Sequence, residues 1–253
     1  MTQTEESRRE LPIDLSTYSG RVQNSISIIQ KALDVYPLDT LAISFNGGKD
    51  CTALLHLIHQ VLLSRDGSKE AKPCSHIRCV CFRTPNGFPD VDAFMLEAAQ
   101  IYGIDTQIVD LPIKEGEIRL HPMKTEECEG LRQWISTTTP PPRAIFMGSR
   151  RTDPYCDNLH NFDETDVKDG WPLIMRVNPI IDWTYSDIWR FIQENHVPYC
   201  DLYDKGYTSL GAMTNTIPNP HLEKEDGSFL PAHQLKEGTY ERAGRVSRNN
   251  QPK

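Results

Sequence analysis

Leu41 to Leu57 reads LAISFNGGKDCTALLHL, and this junction decides the fold. Leu41 to Phe45 form a short apolar run suited to a buried strand. Beyond the loop, Leu54, Leu55, Leu57, Ile58, Val61 and Leu62 recur as one helical stripe. Gly47, Gly48, Lys49 and Asp50 lie between the two patterns. A strand–glycine loop–helix junction presents free backbone N–H groups where the helix dipole adds partial positive charge, and the two together bind phosphate. The glycines let the backbone approach an anion with no side chain in the way. Lys49 adds a cation. Asp50 would repel phosphate unless a cation lay between them, which implies Mg2+ at Asp50.

Outward from the junction, strand and helix patterns alternate. Val22, Ile26, Ile29, Ala32 and Leu33 predict an amphipathic helix over Tyr18–Val35. Ile77–Phe82 reads as a second strand. Val91, Phe94, Met95, Ala98 and Tyr102 mark a helix that Gly103 stops, and Thr106–Leu111 is a third strand. A weaker helix is expected over Thr125–Ser136, closed off by Pro140, Pro141 and Pro142. Arg143–Met147 follows as a fourth strand. The polar, irregular run from Ser149 to Pro172 is expected to be loop, followed by a short strand at Leu173–Val177. Thr184 is a good N-cap for a helix to Asn195 with Ile188, Trp189 and Ile192 on its buried face. The predicted class is α/β: a parallel sheet flanked by helices on both faces, with an irregular C-terminal region. Ligands in such sheets bind at the carboxyl ends of the strands. The loops after Phe45, Phe82 and Met147 are therefore where a site is sought.

The chain has 253 residues, 38% hydrophobic and 25% charged, enough for one large domain. Residues 1–17 read as a flexible polar tail and 18–253 as a single domain. A net charge of −8 argues against broad attraction to nucleic acid or anionic membrane. No apolar stretch is long enough to span a bilayer, and the N-terminus does not read as a secretory signal. The seven cysteines are an odd number without regular spacing, which fits a reducing compartment. Cys74, Cys79 and Cys81 with His76 could be a zinc site or partly buried thiols on a strand. A cytoplasmic monomer with small-molecule partners is expected.

The spacing does not match GxxxxGKS/T or GxGxxG. SFNGGKDC instead resembles the SGGxDS pyrophosphate loop of ATP pyrophosphatases, with Cys51 at the last serine. Three further segments narrow the resemblance: MGSRRTDPY (Met147 to Tyr155), GWPLIMRVNPIIDWTYSDIW (Gly170 to Trp189) and VPYCDLYDKGYTSLGAMTNTIPNPHL (Val197 to Leu222). With YERAGR (Tyr240 to Arg245), the chain resembles the eukaryotic FAD synthases, FMN adenylyltransferases of the PAPS-reductase-like type. It is similar to their single-domain form, without a preceding molybdopterin-type domain.

The resemblance implies an adenine nucleotide alpha hydrolase-like fold and a nucleotidyltransferase that makes FAD and pyrophosphate from FMN and MgATP. It implies that Ser44, Asn46, Gly47, Gly48, Lys49 and Asp50 hold the ATP phosphates and the metal, with Phe82 and Met147 near adenine. Arg150 matches a phosphate-reaching position, the alternative being a solvated charge. Asp153 would lie on the flavin side or organise the loop before Pro154. Trp171 and Arg176 would also line the flavin site, although plain packing suits the tryptophan equally. Arg242 and Arg245, three apart, would grip the FMN phosphate, and the segment 198–253 would fold over the active site. Asn46, Lys49, Asp50, Arg150 and Asp153 form the implied catalytic group. The rivals on the same fold are a PAPS reductase, which needs a reactive cysteine in an ECGLH-like C-terminal motif that is missing here, and a tRNA-modifying ATP pyrophosphatase, which the acidic charge disfavours. A nucleotide sensor without turnover is the non-enzyme alternative.

Overall fold

The computed structural model describes residues 13–65, 72–111 and 124–246. Residues 1–12 of the expected tail and the last seven residues, 247–253, lie outside them. Within the rest of that tail, Thr17 caps the first helix by accepting from Gly20 N. The strands are β1 (Leu41–Ser44), β2 (Arg78–Arg83), β3 (Thr106–Asp110), β4 (Ala144–Phe146), β5 (Phe162–Glu164) and β6 (Met175–Val177). The helices are α1 (Tyr18–Val35), α2 (Lys49–Arg65), α3 (Pro89–Tyr102), α4 (Lys124–Thr137) and α5 (Tyr185–Glu194). The sheet runs β3-β2-β1-β4-β6-β5, parallel except for β5.

β5 falls in a segment whose sequence reads as loop. Three residues, two of them acidic, carry no period-2 apolar signal. The strand exists because β6 offers it an antiparallel edge, with Phe162 opposite Val177 and Glu164 opposite Met175.

Alternation along β1 divides the core. Leu41, Ile43 and Phe45 are fully buried in one cluster with Ile29 of α1, Leu54 and Ile58 of α2, Ala98 of α3 and Ile188 of α5. Ala42 points the other way and joins Val80 and Ile145 under Leu131 and Trp134 of α4. Helices therefore cover both faces, but one face carries four of the five found among the described residues. α5 begins with a capping box, the Thr184 hydroxyl accepting from Asp187 N while the Asp187 carboxylate accepts from Thr184 N. The same carboxylate takes Arg21 Nε and Nη2 at 2.9 and 2.8 Å, tying α1 to α5.

The strand order positions the site. From β1 the chain moves outward through β2 to β3, then returns to the opposite side of β1 as β4. The direction reverses between β1 and β4, so a crevice opens there at the carboxyl ends, the switch point where α/β sheets take ligands. Beyond α5 the chain is short 3-10 turns joined by isolated bridges, Thr216 to Arg245 and Glu223 to Phe229.

Among the described residues, no three His, Cys, Asp or Glu side chains are arranged to hold a metal. Burial pushes the Cys74 and Cys79 thiols up to about 12 and Cys81 to about 11, which keeps them protonated. No helix of the described residues is long and apolar enough to cross a membrane.

Under the sheet, His56 of α2 meets the Tyr102 hydroxyl at 2.9 Å and Gln60 Nε2 at 3.0 Å. Burial, then the neighbouring His59, depress its pKa from 6.5 to about 4. The unfolded chain therefore binds a proton that the folded one refuses between those values. Stability should be complete above pH 6.5 and fall as the pH drops toward 4, at up to about 1.4 kcal/mol per pH unit. Thermal unfolding of His56→Leu, followed from pH 7 to 4, should show a shallower acid loss than the parent. Equal slopes would remove His56 from the effect.

Candidate active site

The glycine loop is built by local constraints. Gly47 has φ +73°, and a Cβ there would meet Val91 Cγ1 of α3 at 2.9 Å. Asn46 Oδ1 accepts from Gly48 N at 3.0 Å and from Cys51 Sγ at 2.9 Å, which closes the loop onto the first turn of α2. Lys49 N donates to the Tyr203 hydroxyl at 2.8 Å. Burial raises the Cys51 thiol to about 12, so it acts as a loop support and not as a nucleophile.

Gly148, at the end of β4, touches the same turn. A Cβ there would lie 2.9 Å from Cys51 N and 3.0 Å from Cys51 Cα. Those are backbone atoms and cannot rotate away. Gly148→Ala should separate β4 from α2 at an overpacking cost of about 1–3 kcal/mol. Lower thermal stability together with weaker ATP binding is expected, and an unchanged unfolding temperature would contradict the close approach.

The charged side chains form one network. Lys49 Nζ, almost fully buried, contacts Asp50 Oδ2 at 3.0 Å and Glu241 Oε1, and it lies 5.2 Å from the Tyr185 ring centroid. Arg150, 1% exposed, places Nε 2.8 Å from Asp50 Oδ1 and Nη2 2.6 Å from Glu241 Oε2. Its backbone N donates to Asp153 Oδ2 at 2.8 Å. Arg242 Nη1 stands 3.9 Å from Asp153 Oδ1. Burial opposes charge on Asp50, yet Lys49 and Arg150 hold its carboxyl below the ordinary value. At Asp153 burial wins and, with Asp50 and Glu241 nearby, pushes the carboxyl up. Three buried atoms inside this network make no hydrogen bond, Arg150 Nε, Arg150 Nη1 and Asp50 Oδ1, although Nε and Oδ1 lie 2.8 Å apart as an ion pair. Unsatisfied atoms in a buried polar cluster call for a ligand.

The network borders a cleft of ≈ 450 Å³. Ser44, Asn46, Gly48, Lys49 and Asp50 line it from β1 and the loop. Phe82 and Met147 line it from β2 and β4, and Asp153, Arg242 and Arg245 from the loops beyond. Gly47 turns toward α3, and Arg150 sits behind Asp50 and Glu241. Arg150 is therefore a buried ion-pair centre, not a solvated charge. Arg151 is half-exposed and braces its own loop, through Asp182 at 2.7 Å and the carbonyls of Asp157 and Leu159.

Trp171 and Arg176, expected on the flavin side, do not line this cleft. Trp171 packs on the second core cluster, where Met147 also lies. Arg176 is on β6, one strand beyond β4, opposite Ile145 and Asp163, and its Nη2 donates to Glu164 O at 3.4 Å. Sequence reasoning missed three wall components. Asn86 adopts φ +64° in the loop after β2, and its carbonyl accepts from Met213 N at 2.8 Å; the PNG turn signal was readable. Tyr203 carries no local signal. Glu241 lies inside ERAGR, beside the arginines.

The donor set bears on Mg2+. One carboxylate, with one unsatisfied oxygen, is too little for a protein-held ion. It suits a Mg2+ that arrives on phosphates and keeps most of its ligands from them and from water.

A family described as the phosphoadenosine phosphosulfate reductase domain matches residues 40–218. A Schizosaccharomyces pombe protein named probable FAD synthase is 37% identical over 226 residues, which is 89% of this chain and 79% of that protein. The Caenorhabditis elegans probable FAD synthase is also 37% identical over 89% of this chain, which spans 40% of its length. The fold matches the crystal structure of Candida glabrata FMN adenylyltransferase in complex with FMN and the ATP analogue AMPCPP, with TM-score 0.76, 24% identity and 94% of each chain covered. The chain belongs to the phosphoadenosine phosphosulfate reductase domain family and, within it, to the FAD synthases.

Proposed function

We propose that this chain transfers the adenylyl group of ATP to FMN, giving FAD and pyrophosphate. The observation that carries the reading is the set of cations around one switch-point cleft: Lys49 and Arg150 on the loop side, Arg242 and Arg245 on the C-terminal side. Two nucleotides that repel each other need such a site. An FMN phosphate oxygen attacks the α-phosphorus of ATP, the bond to the β-phosphate oxygen breaks, and pyrophosphate leaves. The attacking oxygen is already ionised, so no strong base is required, and positioning and charge neutralisation do the work.

In this reading the Ser44–Asp50 loop takes the ATP phosphates, and Phe82 and Met147 flank adenine. Lys49 and Arg150 neutralise the leaving pyrophosphate. Arg242 and Arg245 orient the FMN phosphate, with Asp153 between the two halves. Mg2+, held by Asp50 and the phosphates, supplies further charge neutralisation when bound. The segment from 198 onward closes the cleft as part of one domain. A monomer in the cytoplasm, with ATP and FMN as its partners and neither nucleic acid nor membrane, completes the reading; the net charge of −8 supports the last two points.

The test is direct. The protein is incubated with FMN, ATP and Mg2+, and FAD and pyrophosphate are followed by chromatography. FAD formation that requires both substrates is expected. Sulfite release from PAPS without FAD, or tight ATP binding with no product, would overturn the reading.

A further inference from the structure

Glu241 stands apart from the other charged groups at the cleft. It comes from the C-terminal segment, is 8% exposed, and still bonds both buried cations of the loop side. Its next neighbour in the chain, Arg242, faces Asp153 across the cleft. Adjacent Cα atoms are held about 3.8 Å apart, so Glu241 cannot shift without moving Arg242. Arg245 follows through a tight turn, its N donating to Arg242 O at 2.9 Å.

The backbone here is also fixed from behind. The Thr208 hydroxyl donates to Glu241 O at 2.6 Å. Asn219 Nδ2 donates to Thr208 Oγ1 and to Tyr240 O, both at 2.8 Å. Both Thr208 and Asn219 are buried. A buried polar clip behind a carboxylate that spans two cations is a device for holding position.

We propose that Glu241 is a positioning residue: its carboxylate bridges Lys49 and Arg150, locks the Arg242–Arg245 segment in register with the phosphate loop, and so makes the two nucleotides bind interdependently. This rests on the adenylyl-transfer reading above. FMN engaging Arg242 and Arg245 steadies Glu241, and through it Lys49 and Arg150 where ATP binds. Linkage requires the effect to be equal in both directions.

Calorimetry on the full chain with FMN and the non-transferring analogue AMPCPP tests it. In the parent protein each ligand should tighten the other by the same factor, between about 5- and 150-fold. In Glu241→Gln that factor should fall to about one, and FMN should bind more weakly although its own arginines are intact. The KM for FMN should rise more than kcat falls, and Glu241→Asp should restore part of the coupling. If Glu241→Gln does not fold, Thr208→Val loosens the Glu241 carbonyl and should lose the same coupling. Coupling kept in a folded Glu241→Gln, with only the unfolding temperature lowered, would overturn the proposal. So would tighter AMPCPP binding with FMN unaffected, the mark of a carboxylate that merely stands in for phosphate. A parent protein that makes FAD without coupling defeats this inference alone, whereas one that makes no FAD defeats the reading beneath it.

Discussion

Arg150→Ala should reduce FAD formation by about a hundred- to a thousandfold and lower the unfolding temperature by on the order of 10 °C. The two losses have one cause. Arg150 lies within ion-pair distance of Asp50, Glu241 and Asp153, and burial is nearly complete at the guanidinium. Removing it leaves Asp50 and Glu241 to share Lys49, and Asp153 with only the more distant Arg242. Breaking a buried pair by deleting one partner costs about 3–5 kcal/mol, because the remaining charge stays buried without compensation. In the adenylyl-transfer reading the Arg150 charge, one layer behind the cleft, also helps neutralise the transferring phosphate, so the same deletion is expected to slow turnover. Arg150→Lys separates the two effects. An ammonium keeps the charge and should recover part of the stability. It has no planar fork to span Asp50 and Glu241 together, so turnover should stay low. Thermal unfolding and single-turnover FAD formation measured on both variants decide the matter. Normal turnover in Arg150→Ala would show that the buried network is structural only.

The legible parts of this protein were local. β1, the loop and α2 announce themselves because a strand, two glycines and a helix stripe all occur within Leu41–Leu57. Gly103 marks the end of α3 in the sequence and has φ +71° in the fold, the left-handed cap that glycine favours. The ion network was not legible in the same way. Glu241 meets Lys49 across 192 positions, and Arg150 meets Glu241 across 91. A glutamate in a Gly- and Asn-rich stretch reads as surface until the fold buries it. Trp171 shows a different obstacle: an indole that stacks on a flat ligand and one that fills a core look the same in sequence, since both bury apolar area. β5 shows a third, because its pairing is supplied by β6 and not by its own residues.

Arg245→Ala should weaken productive FMN binding by about 2–5 kcal/mol, the cost of truncating one partner of a buried charged contact, which is at least roughly tenfold. Arg245 is held ready for an anion. Its Nε donates to Ser209 Oγ at 3.1 Å and its Nη2 to the Leu210 carbonyl, and it lines the cleft. Among the described residues it makes no ion pair with a carboxylate. Burial, then the neighbouring Arg242, lower its pKa from the ordinary arginine value to about 10, so it remains charged at neutral pH in a setting that disfavours the charge. Such a cation gains from a phosphate what the protein does not supply. Alanine should therefore weaken FMN binding with little loss of stability, whereas a purely structural arginine would lose stability first. Gly211 offers an independent check. A Cβ there would fall 1.5 Å from Arg245 Nη1 and 2.6 Å from Cζ. Gly211→Ala must push the guanidinium aside without removing it, and it should raise the KM for FMN while leaving AMPCPP binding in the absence of FMN nearly unchanged. FMN titrations of the two variants that matched the parent protein would exclude Arg245 as the phosphate contact.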